Sequence, residues 1–368
     1  MNGVDLPAEA IFLPILFYAA AVIACVAAAR PGRPMSRLAP SWLIISGAVT
    51  GTAIAVNALL DGSTETLAGW EITSFARVSF RFDPLAAFIL LVISLPAIAA
   101  AGYGMGYLDA EPAGKAAHHG PHRAGVDGLL AAFLGAMSLL VIADGVFGFL
   151  FAWELMSLVS FFLVIGDGHA TTTRRAAFVY VVMTHIGAGL LLIAFLILSR
   201  NAGSFDFGPM RDAASALGRW ERDAAFLLAL IGFGTKAGLI PLHVWLPRAH
   251  PVAPSHISAL MSGVMVKTAI YGLVRFIWEL AGPAPGWWGG ALFVLGVVSA
   301  VLGILYALME RDLKRVLAYS TIEHVGIITL GLGVAVMLSS GGHQDGAALA
   351  LVATLVHLLN HALFKGLL

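Results

Sequence analysis

The composition is that of a chain largely embedded in lipid. Hydrophobic residues make up 59% of the 368 residues and charged residues 11%, against about 25% charged residues in an average soluble domain. The 21 Lys and Arg balance the 21 Asp and Glu, which excludes a basic surface for nucleic acid. The single cysteine, Cys25, excludes a disulfide framework and a set of thiolates for an iron–sulfur cluster, so we expect no cofactor in this chain.

Apolar runs long enough to cross a bilayer recur along the chain. A hydrocarbon core of about 30 Å needs about 20 apolar residues per helix. The predicted fold class is therefore an all-α integral membrane bundle of eleven helices, at residues 10–29, 42–60, 84–108, 126–143, 145–165, 176–199, 224–250, 255–279, 288–309, 313–338 and 346–368. The polar connections between them are too short for a folded extramembrane domain.

The seventh run differs from the others because prolines interrupt it. Pro241, Pro247 and Pro251 each remove a backbone donor from the helix. Unwound backbone at membrane depth is tolerated where it is buried in protein or lines a wet cavity. We therefore predict a break between Ile240 and Pro247. His243 lies in this break, either as a hydrogen-bond partner of freed carbonyls or as a proton relay.

Basic residues in the connections predict the orientation of the chain. With the N-terminus outside, the cytoplasmic side receives Arg30, Arg33, Arg37, Lys115, Arg123, Arg174, Arg175, Arg248, Arg311, Lys314 and Arg315. The other side receives Arg77, Arg81, Arg200, Arg211, Arg219 and Arg222. This bias predicts a multi-pass protein of the cytoplasmic (inner) membrane with its N-terminus outside. The residues before the first run include no Lys or Arg, which argues against a cleaved signal peptide.

Ionisable side chains recur at a similar depth in five of the predicted helices. At about 1.5 Å per residue, Glu154 lies roughly 15 Å along its helix and Lys236 roughly 20 Å along its own. The same count places three further sites at roughly 14 to 18 Å, namely His185, Lys267 and Glu323 with His324. Ionisable groups are costly inside lipid and usually mark ion pathways. These residues therefore predict a lateral row of titratable groups near the bilayer midplane.

Three of the five lysines lie within apolar runs, at positions 236, 267 and 365. A buried lysine beside a carboxylate can alternate between holding and releasing a proton. Glu154 and Lys236 could form such a pair. The alternative is a static buried ion pair that holds the bundle together.

The last run carries His357, His361 and Lys365 at intervals of four, so these side chains share one helical face. A His pair at this spacing can also bind zinc. However, no third ligand is evident and the lysine repels a cation, so we expect proton transfer and no metal.

Four other ionisable residues are given no part in transport. His250 and His256 are interpreted as loop or helix-start residues near the cytoplasmic edge. Arg275 and Glu279, at the end of the eighth run, are expected to extend to the membrane surface.

Three segments that hold these residues resemble the antiporter-like subunits of respiratory complex I and their relatives. They are Phe151-Ala-Trp-Glu-Leu-Met-Ser157, residues Gly234–Pro251 and residues Asp312–His324. Three further segments, Ala249–Gly272, Met183–Ile186 and Leu359–Lys365, are most similar to the group of hydrogenase-4 component B and the equivalent formate hydrogenlyase subunit, with complex I and Mrp antiporter subunits next.

The resemblance implies two inverted five-helix repeats, each with a broken helix, and protons passing along a central row. It implies roles for Glu154 as the fifth-helix glutamate, Lys236 as the broken-helix lysine, Lys267 as the eighth-helix lysine, His324 as the tenth-helix histidine, and His361 with Lys365 as the eleventh-helix pair. The depth count adds His185 and Glu323 as further relay candidates, and the proline break adds His243.

On this resemblance the chain has three parts. Residues 1–108 are N-terminal helices, residues 126–279 form the first repeat with its broken helix, and residues 288–368 begin a second repeat. The second repeat is expected to be truncated, because the last apolar run has no polar residue to close it.

The expected function is that of a proton-translocating, non-catalytic membrane subunit of a redox-driven complex of the hydrogenase-4, formate hydrogenlyase or NADH-quinone oxidoreductase type. Expected partners are other membrane subunits and peripheral hydrogenase or dehydrogenase subunits, which would carry iron–sulfur clusters and NiFe or flavin. Two alternatives stay open. An Mrp-type sodium/proton antiporter subunit would use the same buried charges without redox coupling, and a structural scaffold would not conduct.

Overall fold

The computed structural model describes residues 7–28, 38–73, 76–109, 119–166 and 170–368. In these ranges ten helical runs are long and apolar enough to cross a membrane, which confirms the predicted class of a polytopic helical membrane protein. In chain order the helices are α1 Leu13–Ala28, α2 Ala39–Asp61, α3 Pro84–Asp109, α4 His119–Ile142, α5 Val146–Ile165, α6 Thr171–Ser199, α7 Phe207–Ala213, α8 Arg219–Ala237, α9 Leu246–Val252, α10 Ser255–Leu260, α11 Val266–Arg275, α12 Gly286–Met309, α13 Leu313–Ser340 and α14 Gln344–Leu367.

The central helical run of the bundle is α10 with α11. A π-helical turn at Met261–Met265 joins the two helices, and a second one at Phe276–Leu280 follows. Together they form a continuous run, Ser255–Leu280, in which nearly every side chain is buried. Other helices, such as α1, α2 and α14, leave much of their surface on the outside of the bundle.

The predicted seventh run is broken, and Pro241 lies in the break, whereas Pro247 and Pro251 lie within α9. α8 ends where Gly238 adopts left-handed backbone with φ of 82°, and α9 begins only at Leu246. Trp245 ties the break back to α8, because its indole Nε1 donates to the carbonyl of Thr235 over 2.7 Å. In the described ranges the eleven predicted runs therefore become ten continuous helical runs and one interrupted run, in which the 19-residue α8 and the 7-residue α9 lie on either side of the break.

A β-hairpin, which the sequence analysis did not predict, occupies the connection between α2 and α3. Strands β1 Glu65–Thr73 and β2 Ala76–Phe82 pair antiparallel, with Glu65 opposite Phe82. The amide of Asp144 donates to the carbonyl of Ser79 over 2.9 Å, which attaches β2 to the turn between α4 and α5. We call one side of the bundle the hairpin end; it holds β1, β2, the α4–α5 turn and α7. The side that holds α9 is called the α9 end.

Glycines bring α12 and α13 into close contact. A Cβ on Gly326 would lie 2.5 Å from the amide nitrogen of Ala300, and one on Gly296 would lie 2.4 Å from that of Leu330. Small residues that allow such backbone approach are typical of membrane helix packing. This contact positions α13, which carries Glu323 and His324.

One of the basic residues that predicted the orientation is buried inside the bundle. Arg123 is not in a connection but in α4, where it is buried and its Nε lies 3.7 Å from Oδ2 of Asp127. The helix begins before the predicted residue 126 and so includes it. Four other residues used in that argument, Arg30, Arg33, Arg37 and Lys115, lie outside the described residues.

Candidate functional site

Lys236 lies in the last turn of α8 and is 1% exposed. Its Nζ donates to Oγ of Ser157 over 2.8 Å and to the hydroxyl of Tyr180 over 2.9 Å. It also lies 5.1 Å from the centre of the Tyr180 ring and 6.0 Å from that of Trp153, within the range of cation–π attraction. Three helices, α5, α6 and α8, thus enclose one amine among neutral oxygens and aromatic rings.

Glu154 pairs with His185 rather than directly with Lys236. Oε2 of Glu154 lies 3.2 Å from Nε2 of His185, and Nδ1 of the same ring lies 2.9 Å from the carbonyl of Val181. Because a carbonyl only accepts hydrogen bonds, Nδ1 is the donor to Val181, and Nε2 faces the carboxylate of Glu154. The pair lies on the outer surface of α5 and α6, with the side chains of Glu154 and His185 36% and 50% exposed.

Lys267 is completely buried on the central helix, and its position depends on the π-helical turn before it. The wider turn exposes the carbonyl of Ser262, which accepts from Nζ of Lys267 over 2.5 Å. The side chain of Ser262 lies 2.5 Å from Oγ1 of Thr321 on α13. Within the described ranges, neither Lys267 nor Lys236 forms an ion pair with a carboxylate.

Three histidines from α13 and α14 form a cluster next to the lysines. Nδ1 of His324 lies 3.2 Å from Nε2 of His357, and the rings of His324 and His361 are stacked with centres 4.7 Å apart. His361 is fully buried and its ring nitrogens have no hydrogen-bond partner among the described residues. Lys365, one turn further along α14, is 4% exposed and donates to the carbonyl of Leu317 over 3.2 Å.

The histidine cluster does not resemble a metal centre. The structure adds His324 to the two histidines that the spacing in α14 predicts. In the part of the chain that the structure describes, no group of three His, Cys, Asp or Glu side chains is arranged to hold a metal ion.

Two predicted residues lie apart from these clusters. In the break, the ring of His243 lies beside the adjoining rings of Tyr306 and Tyr319, with centres 6.5 and 6.4 Å away. Glu323 is partly buried on α13. Neither of them has a hydrogen bond to another predicted site residue in the described ranges.

A methionine separates the site of Lys236 from that of Lys267. Sδ of Met265 lies 3.6 Å from the hydroxyl of Tyr180, and Met265 precedes Lys267 by two residues on the central helix. The predicted row therefore consists of two polar clusters with a sulfur atom and apolar packing between them.

Several contributors to the site were not predicted from the sequence. Ser157 and Tyr180 hold Lys236 through hydroxyl groups, which are common in membrane helices and carry no distinctive sequence signal. Ser262 holds Lys267 through its backbone carbonyl, a group that every residue has. The interpretation of His250 as a loop or helix-start residue is wrong, since it lies within α9, is 2% exposed and has its Nδ1 2.8 Å from Oγ of Ser258. His256 does begin a helix, but it is also 2% exposed.

The expectation that Arg275 extends to the membrane surface is also wrong, whereas Glu279 is partly exposed. Arg275 is 4% exposed and makes two hydrogen bonds to Asp83, of 2.5 and 2.6 Å, and one of 2.5 Å to Glu279. Burial raises the pKa of Asp83, but its hydrogen bonds and attraction to Arg275 outweigh burial and hold that pKa below its ordinary value. These residues belong to an ionic network at the hairpin end.

These features define a class: a multi-pass membrane protein whose interior holds buried, ionisable side chains on a broken and a π-turned helix. Residues 143–368 match the family described as NADH:quinone oxidoreductase/Mrp antiporter, transmembrane, and the chain belongs to this family.

Named relatives share most of this chain's length. It is 45% identical over 296 residues to hydrogenase-4 component B of Escherichia coli, which covers 80% of this chain and 43% of the relative. It is 34% identical over 333 residues to formate hydrogenlyase subunit 3 of the same organism, covering 89% of this chain and 50% of the relative. The chain thus spans half, or less, of the length of these relatives.

A solved structure shows the same fold. The Mrp complex from Dietzia sp. superposes with a TM-score of 0.78 at 25% identity, covering 97% of this chain and 36% of the matched chain.

Proposed function

We propose that this chain translocates protons as part of a membrane subunit in a redox-driven complex of the hydrogenase-4 or formate hydrogenlyase type. The observation that carries the proposal is the pair of lysines, Lys236 and Lys267, which are buried at 1% and 0% exposure and are held by neutral oxygens. The similarity to hydrogenase-4 component B and formate hydrogenlyase subunit 3 supports the choice of complex.

The contacts of these lysines argue against a purely structural role. Placing a lysine at the centre of a membrane helix costs at least ~2.5 kcal/mol on insertion scales. A static ion pair would offset this cost with a carboxylate in direct contact, and neither amine has one among the described residues. An amine held only by neutral oxygens can release its proton when a nearby charge changes, which is what a transport step requires.

The proposed path runs across the two clusters. Protons pass from Glu154 and its partner His185 to Lys236, and then past Met265 to Lys267. From there His324, His361 and Lys365 take them along α13 and α14. His243 and Glu323 remain accessory relay candidates, since they lie near this path without a direct contact in it. The wider organisation also stays a proposal: residues 126–279 as one inverted repeat and residues 288–368 as the start of another.

The location of the chain is assigned from its charge bias, and its partners are assigned from the same relatives. We place the chain in the cytoplasmic membrane with its N-terminus and hairpin end outside, on the strength of the bias in Lys and Arg. Other membrane subunits would adjoin it, and peripheral hydrogenase or dehydrogenase subunits would carry the iron–sulfur clusters and NiFe or flavin. The similarity to an Mrp complex favours a second candidate, a sodium/proton antiporter subunit.

The test is Lys236→Ala in the full-length protein within its complex. Leu227→Ala is the matched control, because Leu227 lies on the same helix, is 46% exposed and contacts none of the site residues described above. Proton uptake, redox turnover and subunit assembly are measured in the same membrane vesicles, with and without sodium. We expect Lys236→Ala to lower proton uptake at least tenfold with normal assembly, and Leu227→Ala to match the wild type.

Each other outcome favours a different function. Wild-type proton uptake by Lys236→Ala would refute a relay role for this lysine. Loss of assembly together with uptake would favour the scaffold. Uptake that requires sodium and continues without redox turnover would favour the antiporter.

A further inference from the structure

A stripe of polar side chains on the central helical run leads from Lys267 towards the hairpin end. Lys267, Tyr271, Arg275 and Glu279 recur every four residues, so they lie on one helical face. The separation of twelve positions between the first and the last corresponds to about 18 Å of helix, close to half the thickness of a hydrocarbon core of about 30 Å. The first three are buried, at 0%, 2% and 4% exposure, so the stripe runs through the interior.

Hydrogen bonds connect the part of this stripe that is nearest the hairpin end. Nε of Arg275 donates to the hydroxyl of Tyr271 over 2.9 Å, and that hydroxyl donates to the carbonyl of Val141 over 2.6 Å. The other guanidinium nitrogens of Arg275 bind Asp83 and Glu279. Tyr271 therefore stands between the buried lysine and a group of carboxylates near the membrane edge.

The stripe ends in a group of six charges that we call the hairpin-end cluster: Arg81, Asp83, Asp144, Arg211, Arg275 and Glu279. Arg81 forms an ion pair with each of the three carboxylates, at 2.5 Å from Glu279, 3.3 Å from Asp144 and 3.4 Å from Asp83. Arg211 approaches Glu279 at 3.6 Å. Three arginines thus face three carboxylates.

Asp144 is the least constrained carboxylate of this cluster. Its Oδ1 lies 3.3 Å from Nε of Arg81 but accepts no hydrogen bond within the described ranges, whereas Asp83 and Glu279 accept short hydrogen bonds from arginine. Its side chain is 17% exposed, so it can exchange a proton with solvent.

The surroundings of Asp144 favour its protonation. Burial raises its pKa above the ordinary value, and Arg81 from β2, Arg211 from α7 and Arg275 from α11 oppose this effect, while Glu279 adds to it. The side chains of Ser79 and Asp206, which bind each other over 3.0 Å, lie beside the same turn.

Lys267 also has a polar connection in the opposite direction. A cavity of about 160 Å³ near the α9 end is lined by His250, Ser258, Ser262 and Lys365, among others. The carbonyl that accepts from Lys267 belongs to Ser262, so this lysine lies between the cavity and the stripe.

On the basis of the proposed function, we propose that the stripe from Lys267 through Tyr271 is a proton-release branch and that Asp144 is its terminal acceptor. The ammonium of Lys267 gives up one N–H proton, the Tyr271 oxygen takes a proton on a lone pair as its own hydroxyl proton leaves, and the Asp144 carboxylate becomes a carboxylic acid that loses the proton to solvent. The arginines keep their protons, because guanidinium is not deprotonated in proteins. They bind Asp83 and Glu279 through short hydrogen bonds and leave Asp144 to exchange.

The first test is Tyr271→Phe, which removes one oxygen and keeps the ring. Tyr18→Phe is the matched control, because Tyr18 is 1% exposed and its hydroxyl has no hydrogen-bond partner among the described residues. Proton release is measured for the full-length protein in its complex in sealed vesicles, with redox turnover recorded in parallel. We expect Tyr271→Phe to lower proton release at least fivefold with normal assembly, and Tyr18→Phe to match the wild type.

The second test is Asp144→Asn, read from the pH on the hairpin-end side. In the wild type, acidifying that side protonates Asp144 and slows release. In Asp144→Asn, release is slow and no longer follows that pH. A purely structural role for Asp144 would leave the shape of the pH profile unchanged, so an unchanged profile overturns the proposal. This test holds even if Tyr271→Phe impairs assembly.

The outcomes separate this branch from the proposed function. Wild-type release in Tyr271→Phe, with release abolished in Lys236→Ala, overturns the branch and leaves the proposed function in place. Wild-type release in both variants overturns both.

Discussion

Replacing Arg275 with Met should destabilise the protein in a pH-dependent way. The substitution keeps much of the side-chain volume and removes the two hydrogen bonds to Asp83, the one to Glu279 and the one to Tyr271. Asp83 is 7% exposed and keeps only Arg81, 3.4 Å away, as a described ion-pair partner. Breaking a buried ion pair by removing one partner costs about 3–5 kcal/mol, which is the loss of unfolding free energy we expect at pH 7.

The pH dependence follows from the pKa of Asp83. In the wild type this pKa is lowered, so its contribution to stability is present above the unfolded value of about 4 and is lost as the pH falls through the folded value. Without Arg275 the effect of burial dominates and raises the pKa of Asp83, so the folded variant gains stability by binding a proton as the pH falls. The difference between variant and wild type should therefore shrink from pH 7 to pH 5.

The assay is denaturant unfolding of the full-length protein in detergent, with the free energy taken from midpoint and slope. Arg219→Met is the matched control. Its side chain is 81% exposed and its ion pair with Asp223 is long, at 3.8 Å. Exposed pairs contribute about 0–1 kcal/mol, so this control should stay within that range of the wild type. A loss below about 1 kcal/mol for Arg275→Met, or an equal loss at both pH values, would refute the reasoning.

Two further substitutions test the packing and the site. Gly326→Ala places a Cβ 2.5 Å from a backbone nitrogen of α12 and should lower the thermal midpoint of the protein. The control Gly290→Ala on α12, which has open space at its Cβ, should leave the midpoint unchanged. Equal midpoints for the two variants would contradict the close packing of α12 and α13. Tyr180→Phe removes one of the two hydroxyl groups that hold Lys236. A hydrogen bond to a charged group contributes about 1.5 kcal/mol, so proton uptake in vesicles should fall about tenfold. Unchanged uptake would show that this hydroxyl plays no part in transport.

The hairpin shows how a strong overall pattern can hide a local one. The connection at residues 61–83 is short and polar beside its apolar neighbours, and the sequence analysis treated it only as a loop. Residues Arg77–Phe82 nevertheless alternate polar and apolar side chains, the period of a half-buried strand. A search for period-two alternation in the connections would have found β2, and with it Arg81 on the strand and Asp83 directly after it.

For the candidate site, too, the sequence predicted single residues but not the contacts between them. Glu154, Lys236, Lys267, His324, His361 and Lys365 were identified from the sequence because an ionisable residue within an apolar run is rare and visible in isolation. Their partners were not. Glu154 was considered with Lys236, but it pairs with His185, and the lysine binds hydroxyls on two other helices.

The sequence by itself determined the properties that arise from neighbouring residues. Length and apolarity of the runs determined the membrane class, and prolines determined the break, because each acts within a helical turn or along one helix. Only the tertiary structure decided which side chains meet. Arg275 and Asp83 are 192 positions apart, and Lys236 and Ser157 are 79 apart. Such contacts depend on which faces of separate helices pack together, and packing in lipid is decided by the fit of whole helix surfaces rather than by the pattern within any one of them.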